Sequence, residues 1–179
     1  LLAEWSGDHA LQDALNALPE ALAQAIELDW SPLSARLARA NSAFVLGRGP
    51  GFAIACESAL KFKETSGIHA EAYSAAEVLH GPAAIVQANF PVLALGIEDA
   101  ALPQLKPTAE RLAAQGADVF VTGTDVAGAV SLPSVHGLHP LVAPLVMQAG
   151  FYAFIEGLAR RRGFDPDTPP HLRKVTETV

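Results

Sequence analysis

Leu11, Leu15, Leu18, Leu22 and Ile26 recur every three or four residues, the spacing that lines apolar side chains along one face of a helix. The pattern predicts helix from Asp8, a candidate N-cap, to Leu28, kinked or divided at Pro19. A shorter helix is predicted after Ser31-Pro32. The period then changes: Ala43-Phe44-Val45-Leu46 is continuously apolar, runs into Gly47-Arg48-Gly49-Pro50-Gly51, and gives way to helical spacing from about Phe52 to Ser66. Strand, glycine turn and helix in that order make a βα unit. Pro91 to Gly96 and Ala117 to Thr122 read as two further buried strands, separated by an alanine-rich helix from about Leu102 to Gln115 with Gly116 as its left-handed cap. Apolar strands alternating with helices predict an α/β fold, a three-layer αβα sandwich around a mostly parallel, doubly wound sheet. The last long helix, from about Pro140 to Arg162, is apolar nearly all round and is expected to be largely buried, against a partner subunit or another domain. It ends in three arginines and Gly163, which suit a helix C-terminus.

Half of the 179 residues are apolar, enough for one proper core and a single domain. No apolar run approaches the ~20 residues of a membrane span, so no membrane partner is expected. The net charge of −7 carries no basic stripe, which argues against nucleic acid. Cys56 has no partner within the chain, and a lone cysteine suits a reducing, cytoplasmic setting. The start at Leu1, with no initiator Met and no signal-like segment, reads as a piece of a longer polypeptide.

The polar residues in the helix from Phe52 carry the chemistry. Glu57, Lys61 and Glu64 are spaced by four and three, which puts three ionisable groups on one face of an otherwise apolar helix. Core helices seldom carry such a stripe without a partner or a task; the plain alternative is a solvated ion pair worth ~0.2–0.5 kcal/mol. Sixteen residues after Glu64, His80 stands before Gly81-Pro82, at the expected end of a short helix, where an imidazole can project from a rigid turn or simply cap a helix dipole. The glycine turn at Gly47 does not meet the G-x-G-x-x-G fingerprint, and Pro50 removes an amide, so NAD is rejected and no cofactor is implied. Six histidines form no H-E-x-x-H or C-x-x-C pattern, so no metal site is expected.

Taken together, Phe44-Val45-Leu46-Gly47-Arg48-Gly49, Glu57 to Glu64, Ile68-His69-Ala70-Glu71-Ala72-Tyr73 and Glu77-Val78-Leu79-His80-Gly81-Pro82 closely resemble the second sugar isomerase (SIS) domain of glucosamine-6-phosphate synthases and aminosugar-phosphate deaminases. The stretch Asp165 to Thr176 is similar to the family's C-terminal loop. The resemblance implies aldose–ketose chemistry on a hexose 6-phosphate, with Glu64, His80 and Lys174 as the working groups. Glu64 would carry the proton between C1 and C2. His80, entering from the neighbouring subunit of a homodimer, would open the ring. Lys174 would form an imine once the closing tail lowers its pKa, while Glu57 and Lys61 would bind, tune and orient. The implied organisation is a helical connector over 1–40, an SIS domain over 41–163 and an active-site tail over 164–179.

The departures from the family are informative. Family enzymes carry two SIS repeats, the first holding the phosphate through a Ser-x-Ser-Gly loop; here the corresponding turn is Gly96-Ile97-Glu98-Asp99, acidic and unsuited to phosphate. The chain therefore reads as a C-terminal half, inactive alone. The function implied is that of a phosphosugar isomerase or deaminase acting on an aminosugar phosphate such as glucosamine 6-phosphate with ammonia release. This is preferred because the ending after Lys174 lacks the serine usual in synthases. The alternatives are the isomerase part of a glutamine-dependent fructose-6-phosphate amidotransferase, or a non-catalytic sugar-phosphate-binding module.

Overall fold

The structure, a computed structural model, describes residues 1–170. The N-terminal segment forms α1 (Leu2–Ser6), α2 (His9–Asn16), α3 (Leu18–Ile26) and α4 (Ser31–Leu37). Asp8 caps α2 by accepting from the Leu11 amide at 3.1 Å, and the predicted division at Pro19 is present, with the proline in the first turn of α3.

Five parallel strands follow: β1 (Ser42–Gly47), β2 (His69–Ser74), β3 (Pro91–Ala94), β4 (Asp118–Val121) and β5 (Val130–Ser131), in the order β2-β1-β3-β4-β5. The reversal of order between β2-β1 and β1-β3 marks the doubly wound topology. Two of the strands were not evident from hydrophobicity. β2 alternates small with polar residues (Ala70, Ala72 and Ser74 against His69, Glu71 and Tyr73) because it is an edge strand, and β5 is two exposed residues on the other edge.

Side-chain alternation divides the core into two layers. Val45, Leu93 and Phe120 point to one face, covered by α4, by α5 (Pro50–Ser66) and by α7 (Ala143–Arg161). Phe44, Leu46, Val92, Ala94, Val119 and Val121 point to the other, covered by α6 (Leu102–Ala114) and the turns after β2. Phe62 of α5 and Phe151 of α7, both fully buried, meet edge to face with ring centroids 5.3 Å apart. α7 is less buried than its composition suggested: Leu145 and Tyr152 are exposed, while α3 and α5 take the face that carries Val146, Gly150, Phe151 and Ile155. Among the described residues no helix is long and apolar enough to cross a membrane.

Candidate functional site

α5 starts where β1 ends. Gly47 fits only as glycine there, because a Cβ would lie 2.5 Å from the Gly51 carbonyl oxygen, and Gly49 takes a positive φ of 55° as the N-cap. The turn delivers α5 along the sheet from its C-terminal edge to its N-terminal edge, and the helix ends at Gly67, left-handed with φ 62°.

The charged stripe of α5 stands on the flank next to α7. Lys61 Nζ is 2.6 Å from Glu64 Oε2 and 3.4 Å from Glu57 Oε1, and the three side chains are only 27 %, 22 % and 33 % exposed. A solvated surface pair of the ordinary kind would be more open than this. Glu57 has a further partner that no sequence signal announced: Tyr152 of α7 donates its hydroxyl to Glu57 Oε1 at 2.9 Å. The hydrogen bond to Glu64, opposed by burial, raises the Lys61 ammonium above its ordinary value, and burial followed by Glu57 raises the Tyr152 phenol. At neutral pH the stripe therefore holds a fixed ammonium and a fixed phenol O–H around two carboxyl groups.

His80 is elsewhere. It sits exposed in a 3₁₀ turn (Val78–His80), and a second one (Pro82–Ile85) follows Gly81, whose φ is 148°. The expected α-helix end is thus a 3₁₀ turn, because Gly81 and Pro82 break the backbone before a helix can form. The turn follows β2 at the C-terminal edge of the sheet. Glu64 is fourteen residues beyond Pro50, which at 1.5 Å per residue puts it about 20 Å along the helix toward the opposite edge. Within one chain, Glu57, Lys61 and Glu64 come together and His80 does not join them. Lys174 lies outside the described residues.

The C-terminal edge has polar order of its own. Arg48, at the tip of β1, donates through Nε to Gln104 Oε1 at 2.8 Å and through an Nη to Ser74 Oγ at 3.0 Å. The acidic turn after β3 is engaged internally: Glu98 accepts from the Gly137 amide at 3.0 Å and lies 2.5 Å from His136 Nδ1, while Asp99 accepts from the Ala101 amide at 2.8 Å. An open cleft of about 510 Å³ there is lined by Glu98, Asp99, Leu102, Pro103, Lys106 and Thr124. Among the described residues, no group of three or more His, Cys, Asp or Glu is arranged to hold a metal ion.

The SIS domain profile matches residues 36–154, from the end of α4 through most of α7. The chain belongs to the SIS domain family. The chain is 33 % identical, over 93 % of its length, to glutamine–fructose-6-phosphate aminotransferase (isomerizing) of Escherichia coli K12, of which it spans 29 %. It superposes with a TM-score of 0.87 on a candidate phosphosugar isomerase from Silicibacter pomeroyi DSS-3, at 47 % identity, covering 93 % of this chain and 51 % of that one. The C-terminal domain of glucosamine-fructose-6-phosphate aminotransferase from Francisella tularensis matches with a TM-score of 0.71 at 26 % identity, over 89 % of this chain and 44 % of that one. The chain therefore spans under a third of the curated relatives and about half of these solved structures. Residue spacing marks the α5 stripe and the turn at His80 but gives no sign of Tyr152, Ser74 or Gln104, and Arg48 stands out in the sequence only as part of the strand and glycine turn. Tyr152 carried no signal except a hydroxyl in an apolar helix, whose partner is 95 residues away in sequence.

Proposed function

We propose that this SIS domain provides the proton-transfer half of a phosphosugar isomerase that acts on an aminosugar phosphate, such as glucosamine 6-phosphate, with release of ammonia. The observation that carries this reading is the half-buried Glu57–Lys61–Glu64 stripe. Lys61 occupies one oxygen of Glu64, restrains the carboxylate, and leaves the second oxygen free as a base that can address two adjacent carbons from one position. His80 comes from a second copy of the chain and moves the ring-opening proton; Lys174, its ammonium first giving one proton to solvent, attacks the carbonyl carbon of the open-chain sugar and forms an imine, the carbonyl oxygen leaving as water with the two remaining N–H protons. The placement of Glu64 about 20 Å along α5 from Pro50, away from the strand ends where the His80 turn follows β2, supports the two-copy site. The phosphate is held by a part of the enzyme outside this domain, whose corresponding turn, Gly96-Ile97-Glu98-Asp99, is acidic, so the 179 residues alone turn over substrate negligibly. The enzyme works in a reducing, cytoplasmic setting.

A second reading, the isomerase part of a glutamine-dependent amidotransferase, is favoured by the 33 % identity to the E. coli aminotransferase. The ammonia-releasing reading is preferred because the 47 %-identical Silicibacter protein leaves only 49 % of its chain beyond the match, about the length of one more such domain.

The test is Glu64→Gln in the native full chain. The amide keeps the shape but cannot accept a proton, so exchange of the C2 hydrogen of glucosamine 6-phosphate with solvent deuterium should fall by about 10²–10⁴-fold, with sugar-phosphate binding nearly unchanged. Equal exchange by parent and variant would overturn the assignment.

A further inference from the structure

Lys61 lies between two carboxylates that compete for it, and the hydroxyl of Tyr152 is placed to decide the competition. Of the Glu57 oxygens, the one that Lys61 approaches at 3.4 Å, Oε1, is the same one to which Tyr152 donates at 2.9 Å. Glu64 Oε2 is at 2.6 Å from Lys61. A phenol O–H on Glu57 Oε1 fills a lone pair there and offsets part of its charge, so Glu57 becomes the weaker partner and the ammonium settles on Glu64. Nothing local to α5 imposes this bias, because spacings of i,i+3 and i,i+4 are both within reach of a lysine. The hydroxyl comes from α7, a separate element held against α5 by the Phe62–Phe151 contact.

We propose that Tyr152 is a positioning residue of the isomerase site: through Glu57 it directs Lys61 onto Glu64 and so fixes the orientation and proton affinity of the base. This rests on the reading of Glu64 as that base. Tyr152 itself touches no substrate in this role. It acts as a donor whose raised phenol keeps its proton through the neutral range, and the packing of its ring is incidental.

The experiment uses the native full chain, glucosamine 6-phosphate as substrate, and four proteins: parent, Tyr152→Phe, Glu57→Gln, and the Tyr152→Phe/Glu57→Gln double variant. Tyr152→Phe removes one oxygen and keeps the ring. Glu57 then regains its hold on Lys61; kcat falls about tenfold, as expected for losing one hydrogen bond to a charged group. KM changes less than about twofold, and the acid limb of the kcat–pH profile moves to higher pH as the base loses its cation. In the double variant the competing carboxylate is gone, so kcat and the acid limb return to those of Glu57→Gln, a strongly non-additive cycle. Additive losses, or an unmoved acid limb, would overturn the inference and leave Tyr152 as a packing residue. Glu64→Gln is run alongside: if it keeps parental activity the failure lies with the base assignment, and if it is inactive while Tyr152→Phe matches the parent only the role of Tyr152 fails.

Discussion

Glu98 illustrates how one side chain can change the meaning of a turn. Read as sequence, Gly96-Ile97-Glu98-Asp99 is two adjacent carboxylates facing the place where α/β folds bind anions. In the folded chain Glu98 reaches across to His136 and the Gly137 amide and ties the loop after β3 to the segment that leads into α7. The hydrogen bond from His136, then that from Gly137, holds the Glu98 carboxyl below its ordinary value of 4.5. A depressed carboxyl adds its stabilisation above the unfolded value and loses it as pH falls through the folded one. The link is therefore complete above about pH 4.5 and opens only in more acid solution. The Gly137 amide proton resonance reports it directly. Its titration midpoint should lie below 4.5 in the parent, and the titration should vanish in Glu98→Gln; a midpoint at or above 4.5 would mean that the contact does not form in solution.

At the scale of elements, the arginines that end α7 separate by role. A run of three cations at a helix C-terminus is explained on sequence alone by the dipole, each worth a few tenths of a kcal/mol. Arg162 does something else. It folds back between elements and donates through Nε to the Ser66 carbonyl at 2.7 Å, and through one Nη to Leu37 at 2.7 Å and Ala38 at 3.1 Å. It thereby fastens the C-terminal ends of α4, α5 and α7 together at the N-terminal edge of the sheet. Burial lowers its guanidinium, yet its three acceptors would be left without this donor if it were removed. Arg162→Ala should cost about 2–4 kcal/mol in urea unfolding. Arg161→Ala, whose side chain is exposed, should stay within ~0.5 kcal/mol. Equal costs for the two would return both to the dipole explanation.

At the scale of the whole molecule, the proposed function requires Glu64 and His80, at opposite edges of one sheet, to serve one substrate. The proposed second copy would meet this by symmetry, since a two-fold axis presents the same surfaces to each other and would build two equivalent composite sites. This predicts complementation. Glu64→Gln and His80→Ala, each nearly inactive alone in the native full chain, should recover about a quarter of parental activity when unfolded, mixed equally and refolded together. Half of the dimers are then mixed, and each mixed dimer keeps one intact site of two. Recovery at the level of the two variants measured separately would mean that each site is built from a single chain.

The sequence by itself determined the helices at Asp8, Ser31, Phe52 and Leu102, the central strands β1, β3 and β4, the parallel α/β class and the grouping of Glu57, Lys61 and Glu64 on one face. These depend on residues within a turn or two of each other, so periodicity and caps report them. Only the tertiary structure decided the edge strands β2 and β5, the 3₁₀ form of the turn at His80, the placement of His80 and Glu64 toward opposite ends of the strands, and the partners Tyr152, Arg48, His136 and Arg162. An edge strand is stabilised by the ladder of its neighbour rather than by its own hydrophobicity. A polar contact between residues 26 to 125 positions apart leaves no local spacing to read, because it exists only when packed elements bring a donor to an acceptor.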